Sequence, residues 1–223
     1  MKIAIIVPVY NEGQRGVETI KKILGSTKQE VVVVDDGSSD NSWILLKEVF
    51  CKNKRVVLLR HIINLGKGAA MRTGAEKAWE LGVEAIIFID ADGQHNPDHL
   101  ADFEKLLLTN KLVFGFRSFN KKMPFVRKYG NIIALKLVEF LFNIKRKDLL
   151  CGFLGFRKEV YEKILWQSSR YGIETEMATK VGKNKIPFSE INVDTIYIDK
   201  YKGVTMLDAF KILLNIPFWY FRK

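Results

Sequence analysis

Residues 86–95 read Ile86-Ile87-Phe88-Ile89-Asp90-Ala91-Asp92-Gly93-Gln94-His95. Four apolar, largely β-branched residues followed at once by polar ones describe a short buried strand, as in the middle of a parallel sheet. At an extended strand end, positions two apart point to the same side, so the oxygens of Asp90, Asp92 and Gln94 can converge. Two carboxylates and an amide carbonyl are a hard-oxygen set suited to Mg²⁺ or Mn²⁺, with positions left open for a diphosphate. In open α/β sheets ligands bind at the C-terminal strand ends, where this triplet falls. A polar turn with Gly93 as its bend is the plainer alternative.

Other strands flank this one. Lys2–Val9 is a near-continuous apolar run whose end is marked by Pro8, and Asn11 stands where it can cap a helix to about Leu24. Glu30–Val34 closes in Asp35-Asp36-Gly37-Ser38-Ser39-Asp40. Capping of a helix over Asn41–Phe50 explains Ser38–Asp40, and leaves Asp35 and Asp36 to accept from a nucleobase N–H or a ribose hydroxyl. Val56–Arg60 leads into the glycine-rich stretch 64–74, which opens a helix to about Leu81. A P-loop would need Gly at His61 and Ser or Thr at Gly68, and a dinucleotide fingerprint would need Gly at Met71. What remains is a helix N-terminus with its N–H groups, Lys67 and Arg72 as phosphate or ribose neighbours.

Asn96-Pro97-Asp98 starts a helix to about Leu108. Pro97, and the lack of a soft ligand nearby, argue against zinc on His95 and His99, so His99 is read as helix surface. Lys111–Phe116 is a further strand, followed by Arg117. Strand–helix alternation over about the first 110 residues predicts one α/β domain with a doubly wound parallel sheet.

With 223 residues, 48% of them hydrophobic, the chain can fill such a core. Cys51 and Cys151 have no metal-ligand spacing, so a reduced, cytosolic-side protein is expected. Met1-Lys2-Ile3 runs straight into a strand, and no apolar run reaches a bilayer's thickness, so neither a signal peptide nor a spanning helix is expected. Residues 1–110 carry 14 basic and 15 acidic side chains, a net of −1, and residues 111–223 carry 22 and 10, a net of +12. The second half therefore meets something anionic: nucleic acid, a membrane surface or a phosphorylated substrate.

The character changes after Asn120. Lys121, Lys122, Arg127 and Lys128 precede an amphipathic stretch, Ile132–Ile144, that ends in Lys145-Arg146-Lys147. It reads equally as a helix lying in a membrane interface and as a core helix with solvated ends. Asp148–Arg157 is a polar turn entering a short strand, Tyr171–Glu176 opens a helix to about Val181, and Ile186–Val193 and Ile196–Ile198 read as strands. Val204–Leu214 is helical and runs into Phe218-Trp219-Tyr220-Phe221-Arg222-Lys223, aromatics that suit an interface.

Six markers in order, Pro8-Val9-Tyr10-Asn11-Glu12, Asp35-Asp36-Gly37-Ser38, Asn64-x-Gly66-Lys67-Gly68, Asp90 to His95, Gly115-x-Arg117 and Gly152-Phe153, resemble the inverting glycosyltransferases of family 2, dolichol-phosphate mannose synthase type. The resemblance implies a GT-A (Rossmann-like), mostly parallel α/β sheet over residues 1–203, with amphipathic interface helices in the second half, residues 120–147 as a basic interface segment and 204–223 as an aromatic tail. It implies that Pro8, Tyr10, Glu12, Asp35, Asp36, Lys67, Asp90 and Ala91 hold a nucleotide sugar. Asp90, Asp92 and Gln94 then bind Mg²⁺ or Mn²⁺ on its diphosphate, and Asp92, Arg117 and Arg127 carry the catalytic work. Arg117, Arg127, Lys200 and Lys202 meet the acceptor phosphate. The sequence departs from the family at Phe116, Cys151 and Lys200–Lys202, where Ser, Ser or Thr, and Arg are usual.

The expected reaction moves mannose or glucose from a GDP- or UDP-hexose to dolichyl or other polyprenyl phosphate, at the inner, cytoplasmic face of a membrane. A separate membrane-spanning partner could take the place of spans that many relatives carry. A phosphomonoester is already largely ionised near neutral pH, its second pKa being about 6, and so needs no strong base. A hydroxyl acceptor would require one, Asp90, Asp92 or Glu174. A non-catalytic module holding nucleic acid or anionic lipid is the other class, and carboxylate-bearing strand ends, which repel nucleic acid, weigh against it. A nucleotidyltransferase ranks lower because its glycine-rich, arginine-containing loop is absent after Val9.

Overall fold

The computed structural model describes residues 1–118, 125–169, 172–194, 196 and 206–221, the side chains of 125–130, 206–210 and 212 excepted. In chain order the elements are β1 (Ile3–Val9), α1 (Gly13–Ser26), β2 (Glu30–Asp35), α2 (Ser42–Phe50), β3 (Val56–Arg60), α3 (Lys67–Glu80) and β4 (Ala85–Phe88). A 3-10 turn at Pro97–His99 then leads to α4 (Leu100–Leu107), β5 (Leu112–Phe116), α5 (Phe125–Phe142), β6 (Leu154–Arg157), α6 (Lys158–Ile164), α7 (Ile173–Lys183), β7 (Ser189–Asn192) and α8 (Met206–Phe221).

The strands form one sheet in the order β3-β2-β1-β4-β6-β5-β7. Side-chain alternation sorts its apolar residues into two cores. Ala4, Ile6, Val32, Val34, Ile86 and Phe88 face α3, α5, α7 and α8 through Met71, Val138, Met177 and Trp219. Ile5, Val7, Val31, Val33 and Ile87 face α1, α2 and α4 through Ile20, Phe50 and Phe103. Burial on both faces is why these strands read as unbroken apolar runs.

One feature departs from the purely parallel reading. β6 lies between β4 and β5 and runs antiparallel to both, with Ile86 opposite Phe156 and Leu112 opposite Phe156 from the other side. Gly155 permits this wedge, since a Cβ there would meet Ile87 Cγ1 at 3.0 Å and the Ile86 carbonyl oxygen at 3.1 Å. An apolar run does not disclose its direction. The sheet is therefore mostly parallel.

Local caps also differ. Asn11 sits at φ +52° and does not cap α1; its Oδ1 accepts from the Ser39 and Asp40 amides. The first amides of that helix, at Glu12 and Gly13, instead donate to Ser42 Oγ from the start of α2. His99 is not idle surface: its Nε2 lies 3.1 Å from the Asp194 amide, tying α4 to the end of β7. The strand expected over 186–193 shrinks to β7, and of the one expected over 196–198 residues 197 and 198 lie outside the described residues. α8 extends through the aromatic run with Pro217 inside it, burying Ile216 and Trp219 in the core shared with α5 and α7. No helix among the described residues is long and apolar enough to cross a membrane.

Candidate active site

The C-terminal ends of β1, β2, β3 and β4 carry the polar residues that the strands themselves exclude. After β2, Asp35 is fully buried; its Oδ1 accepts from the Ser38 amide, and its Oδ2 has no hydrogen-bond partner. Burying an acceptor without a partner costs about 1–3 kcal/mol, so Oδ2 is an oxygen ready for a donor group. Asp36 differs. It accepts from His61 Nδ1 at 2.7 Å and from the Leu65 and Gly66 amides at 3.0 and 2.8 Å, which commits it to shaping the loop after β3. Gly37 lets that loop close, with φ +66° and the Ile63 carbonyl carbon 2.3 Å from where a Cβ would stand. Tyr10 lies exposed at the lip, Glu12 contacts Arg15 at 3.3 Å, and Pro8 pairs in register with Val34.

After β4, Ala91 is buried and Asp92 turns the chain, its Oδ1 accepting from the Gln94 amide at 2.9 Å, with Gly93 at φ +73°. Lys67, the first residue of α3, reaches across to this loop. Its ammonium lies 2.8 Å from Asp90 Oδ1, 3.0 Å from Asp90 Oδ2 and 2.9 Å from Glu174 Oε1 on α7. Burial works against the charge on Lys67, but Asp90 and Glu174 outweigh it and raise its pKa. Burial likewise disfavours the Asp90 carboxylate, and Lys67, with His95, Arg117 and its own hydrogen bond from Lys67, more than compensates. Among the described residues Asp92 has no ion-pair partner, and burial, then the Asp90 charge, pushes its carboxyl up to about 6.

Beneath this loop His95 is buried edge-on against Phe153, and desolvation holds its pKa down at about 4, so the imidazole is neutral at pH 7. Its Nδ1 has no hydrogen-bond partner. Arg117, at the end of β5, donates from Nε and Nη2 to the two oxygens of Asp148 at 2.7 and 3.1 Å. Asp148 is further held by Asn131 Nδ2 and the Leu150 amide. Its carboxyl stays below the usual carboxylate range because Arg117 overrides the cost of burial.

The structure thus gathers Lys67, Asp90, Ala91, Asp92 and Gln94 at neighbouring loops, with Asp35 and Asp36 at the end of β2, across β1 from them. It redirects two sequence readings. Two amides at the start of α3 are engaged within the protein, Gly66 N–H by Asp36 and Gly68 N–H by the Ser169 carbonyl at 2.7 Å, which leaves fewer of them for a phosphate. Arg117, read as a cation for the acceptor phosphate, is a bidentate partner of Asp148. The Arg127 side chain and Lys200 and Lys202 lie outside the described residues.

Glu174, read in the sequence only as a candidate base, is the second anchor of Lys67. Two groups escaped the sequence reading: Asp148 is the counterion of Arg117, and Glu176 accepts from the Gln167 and Ser168 amides to hold the loop that Gly68 packs against. For Asp148 and Glu176 a signal existed, since a carboxylate in an apolar stretch needs donors nearby.

Among the described residues no three His, Cys, Asp or Glu side chains form a self-sufficient metal site. Two hard carboxylates, Asp90 and Asp92, the second with no ion-pair partner among the described residues, nonetheless fit a divalent ion that shares its coordination with a diphosphate.

The sequence matches the profile of Glycosyl transferase family 2 over residues 4–165. The chain belongs to that family. Across 96% of its length this glycosyltransferase is 30% identical to the UDP-N-acetylglucosamine--dolichyl-phosphate N-acetylglucosaminyltransferase of Methanococcus voltae, of which 94% is covered. It is 27% identical to the dolichol-phosphate mannosyltransferase of Pyrococcus furiosus, over 98% of this chain and 64% of that one. Among solved structures, glucosyl-3-phosphoglycerate synthase from Mycobacterium tuberculosis, in complex with Mn²⁺, UDP and phosphoglyceric acid, superposes with a TM-score of 0.76 at 16% identity, covering 100% of this chain and 79% of that one. The Pyrobaculum calidifontis mannosyltransferase with GDP-mannose and Mn²⁺ gives 0.64 at 21% identity, covering 90% and 58%. These likenesses establish the fold as GT-A, Rossmann-like.

Proposed function

We propose that this transferase moves a hexose from a nucleotide sugar to a polyprenyl or dolichyl phosphate, with inversion, at the cytoplasmic surface of a membrane. The observation that carries the acceptor is the match along nearly its whole length to a relative named for transfer to dolichyl phosphate. The strand-end cluster supports the donor side. Asp35 Oδ2 accepts from the nucleobase or ribose, with Tyr10, Pro8, Glu12 and Ala91 along the same edge, while Asp36 acts indirectly by holding the loop at 61–66.

Asp90, Asp92 and Gln94 would hold the Mg²⁺ or Mn²⁺, which when bound neutralises charge on the leaving diphosphate. Lys67 adds a cation beside it. The acceptor's ionised phosphate supplies the nucleophile, so this chain's task is to orient it; Arg117, through its charge, and Arg127, Lys200 and Lys202 are assigned to that phosphate. α5 and α8 support the membrane reading, since Ile133, Phe140, Leu214, Phe218 and Phe221 are exposed on helices that also carry Lys136 and Lys211.

The test is a transfer assay with Mn²⁺ or Mg²⁺, a short polyprenyl phosphate, and labelled GDP-mannose, UDP-glucose and UDP-N-acetylglucosamine. Label passing into the organic phase from one donor, and abolished by EDTA, is the expected result. Transfer to a soluble hydroxyl acceptor that ignores lipid phosphate would replace the proposal.

A further inference from the structure

Two of the ion pairs at the site, Arg117–Asp148 and Lys67–Asp90, are built differently. Arg117–Asp148 is sealed: its side chains are 9% and 1% exposed, both carboxylate oxygens are engaged, and Asn131 and a backbone amide add to them. Such a pair fixes a loop and stays. Lys67–Asp90 is 26% and 25% exposed, open to the pocket, and made by an ammonium that keeps a second carboxylate, Glu174, within 2.9 Å. A glycine lies against it, for a Cβ on Gly152 would stand 2.6 Å from Asp90 Oδ2 and 2.7 Å from Lys67 Nζ. The root of Lys67 is nevertheless rigid: Gly68 is bonded to the Ser169 carbonyl and to Trp166 Nε1, at 2.7 and 2.8 Å. The ammonium can therefore change partners while its backbone stays in place.

Charge says when it would do so. Among the described residues, Asp90, Asp92 and Glu174 set three carboxylates against the one ammonium of Lys67, an excess of negative charge that favours a divalent ion. Lys67 spans both oxygens of Asp90, so the ion and the ammonium compete for one carboxylate. The donor's diphosphate then brings new negative charge to the displaced ammonium.

We propose that Lys67 is a counter-cation that competes with the donor's metal for Asp90: it yields Asp90 to that metal and, kept within reach by Glu174, turns to the diphosphate. Glu174 is the positioning residue of this exchange. The inference rests on the metal–diphosphate reading above.

Mn²⁺ titrations followed by the electron paramagnetic resonance of the free ion test it, with and without saturating UDP or GDP, on the full chain and on Lys67→Met and Glu174→Gln. Lys67→Met is expected to bind Mn²⁺ alone about tenfold more tightly, about 1.4 kcal/mol, and Mn²⁺ with nucleoside diphosphate more weakly than the parent. Glu174→Gln, which keeps Asp90 and Lys67 but removes the second anchor, is expected to bind Mn²⁺ alone severalfold more weakly. If Lys67→Met gains nothing on Mn²⁺ alone, or loses nothing with the diphosphate, the exchange is wrong while the donor site stands. Should that variant not fold, unchanged Mn²⁺ affinity in Glu174→Gln overturns it equally. A parent chain that binds Mn²⁺ in neither condition would remove the donor-site reading itself.

Discussion

Replacing Gly68 by alanine tests how α3 is seated, and its sign is set by space rather than by propensity. Alanine is the better helix former by up to about 1 kcal/mol, so an unobstructed site would gain stability. Here the added Cβ would stand 2.1 Å from the Ser168 carbonyl oxygen and 3.1 Å from Ile173 Cδ1 and Cγ1. That is more than 1 Å inside even a weak C–H···O contact, about 3.3 Å. Ser168 is backbone, so the loop at 166–169 must retreat, taking with it the Gly68–Ser169 hydrogen bond and the one from Trp166 Nε1. Overpacking of about 1–3 kcal/mol and one or two weakened hydrogen bonds of about 1 kcal/mol each exceed the propensity gain, for a net loss of about 2–4 kcal/mol. In a chain of this size that lowers Tm by roughly 5–15 °C. Urea unfolding followed by tryptophan fluorescence measures it, with Gly25→Ala in α1, where a Cβ meets nothing within 4 Å, as the control expected to gain slightly. A Gly68→Ala chain as stable as the parent would refute the packing argument.

Asp148→Asn takes from the buried Arg117 guanidinium the carboxylate that accepts from its Nε and Nη2, and is expected to cost about 3–5 kcal/mol at pH 7. Because Arg117 holds the folded Asp148 pKa down, its contribution is present above the ordinary carboxylate value of about 3.9 and is lost as pH falls through the lower folded value. Denaturation at pH 7 and pH 3 should therefore show a smaller difference between variant and parent in acid; parallel curves would count against the assignment. Asp92→Asn is expected to abolish metal-dependent transfer with Tm equal to or above the parent's, since it removes a carboxylate that burial and Asp90 disfavour; normal turnover would rule out the metal role. Phe140→Ser and Phe218→Ser, at positions 84% and 57% exposed, should leave the fold intact and weaken sedimentation with anionic lipid vesicles roughly tenfold or more each. Binding that responds only to salt would show that charge, not the aromatic surface, attaches the protein.

β1, β2, β4 and β5 stand close to where the sequence puts them, because a strand buried on both faces must be apolar throughout and must end where polar residues begin; β3, at the sheet edge and only half-buried, is found by its apolar run alone. The same logic locates Asp35, Asp90 and Asp92, which are read as strand-end residues, and it fails for β6, whose four residues Leu154–Arg157 carry no mark of direction. Asn11 misleads for a related reason: an Asn before a helix is a cap only if its side chain faces that helix, and here it faces Ser39 across the neighbouring loop.

Counter-charges are harder to read because topology supplies them. Lys67 and Glu174 are 107 positions apart, and Arg117 and Asp148 are 31 apart. Even so, the second pairing left a trace. Between residues 140 and 158 stand Lys145, Arg146, Lys147, Arg157 and Lys158, and Asp148 is the one acidic side chain among them. A lone carboxylate held in so basic and so apolar a segment, next to a glycine-flanked strand entry, is an anion kept for a particular cation. No comparable argument reaches Glu174, because α7 also offers Glu176 two residues on, and only the fold shows that one faces Lys67 while the other caps the loop at Gln167 and Ser168.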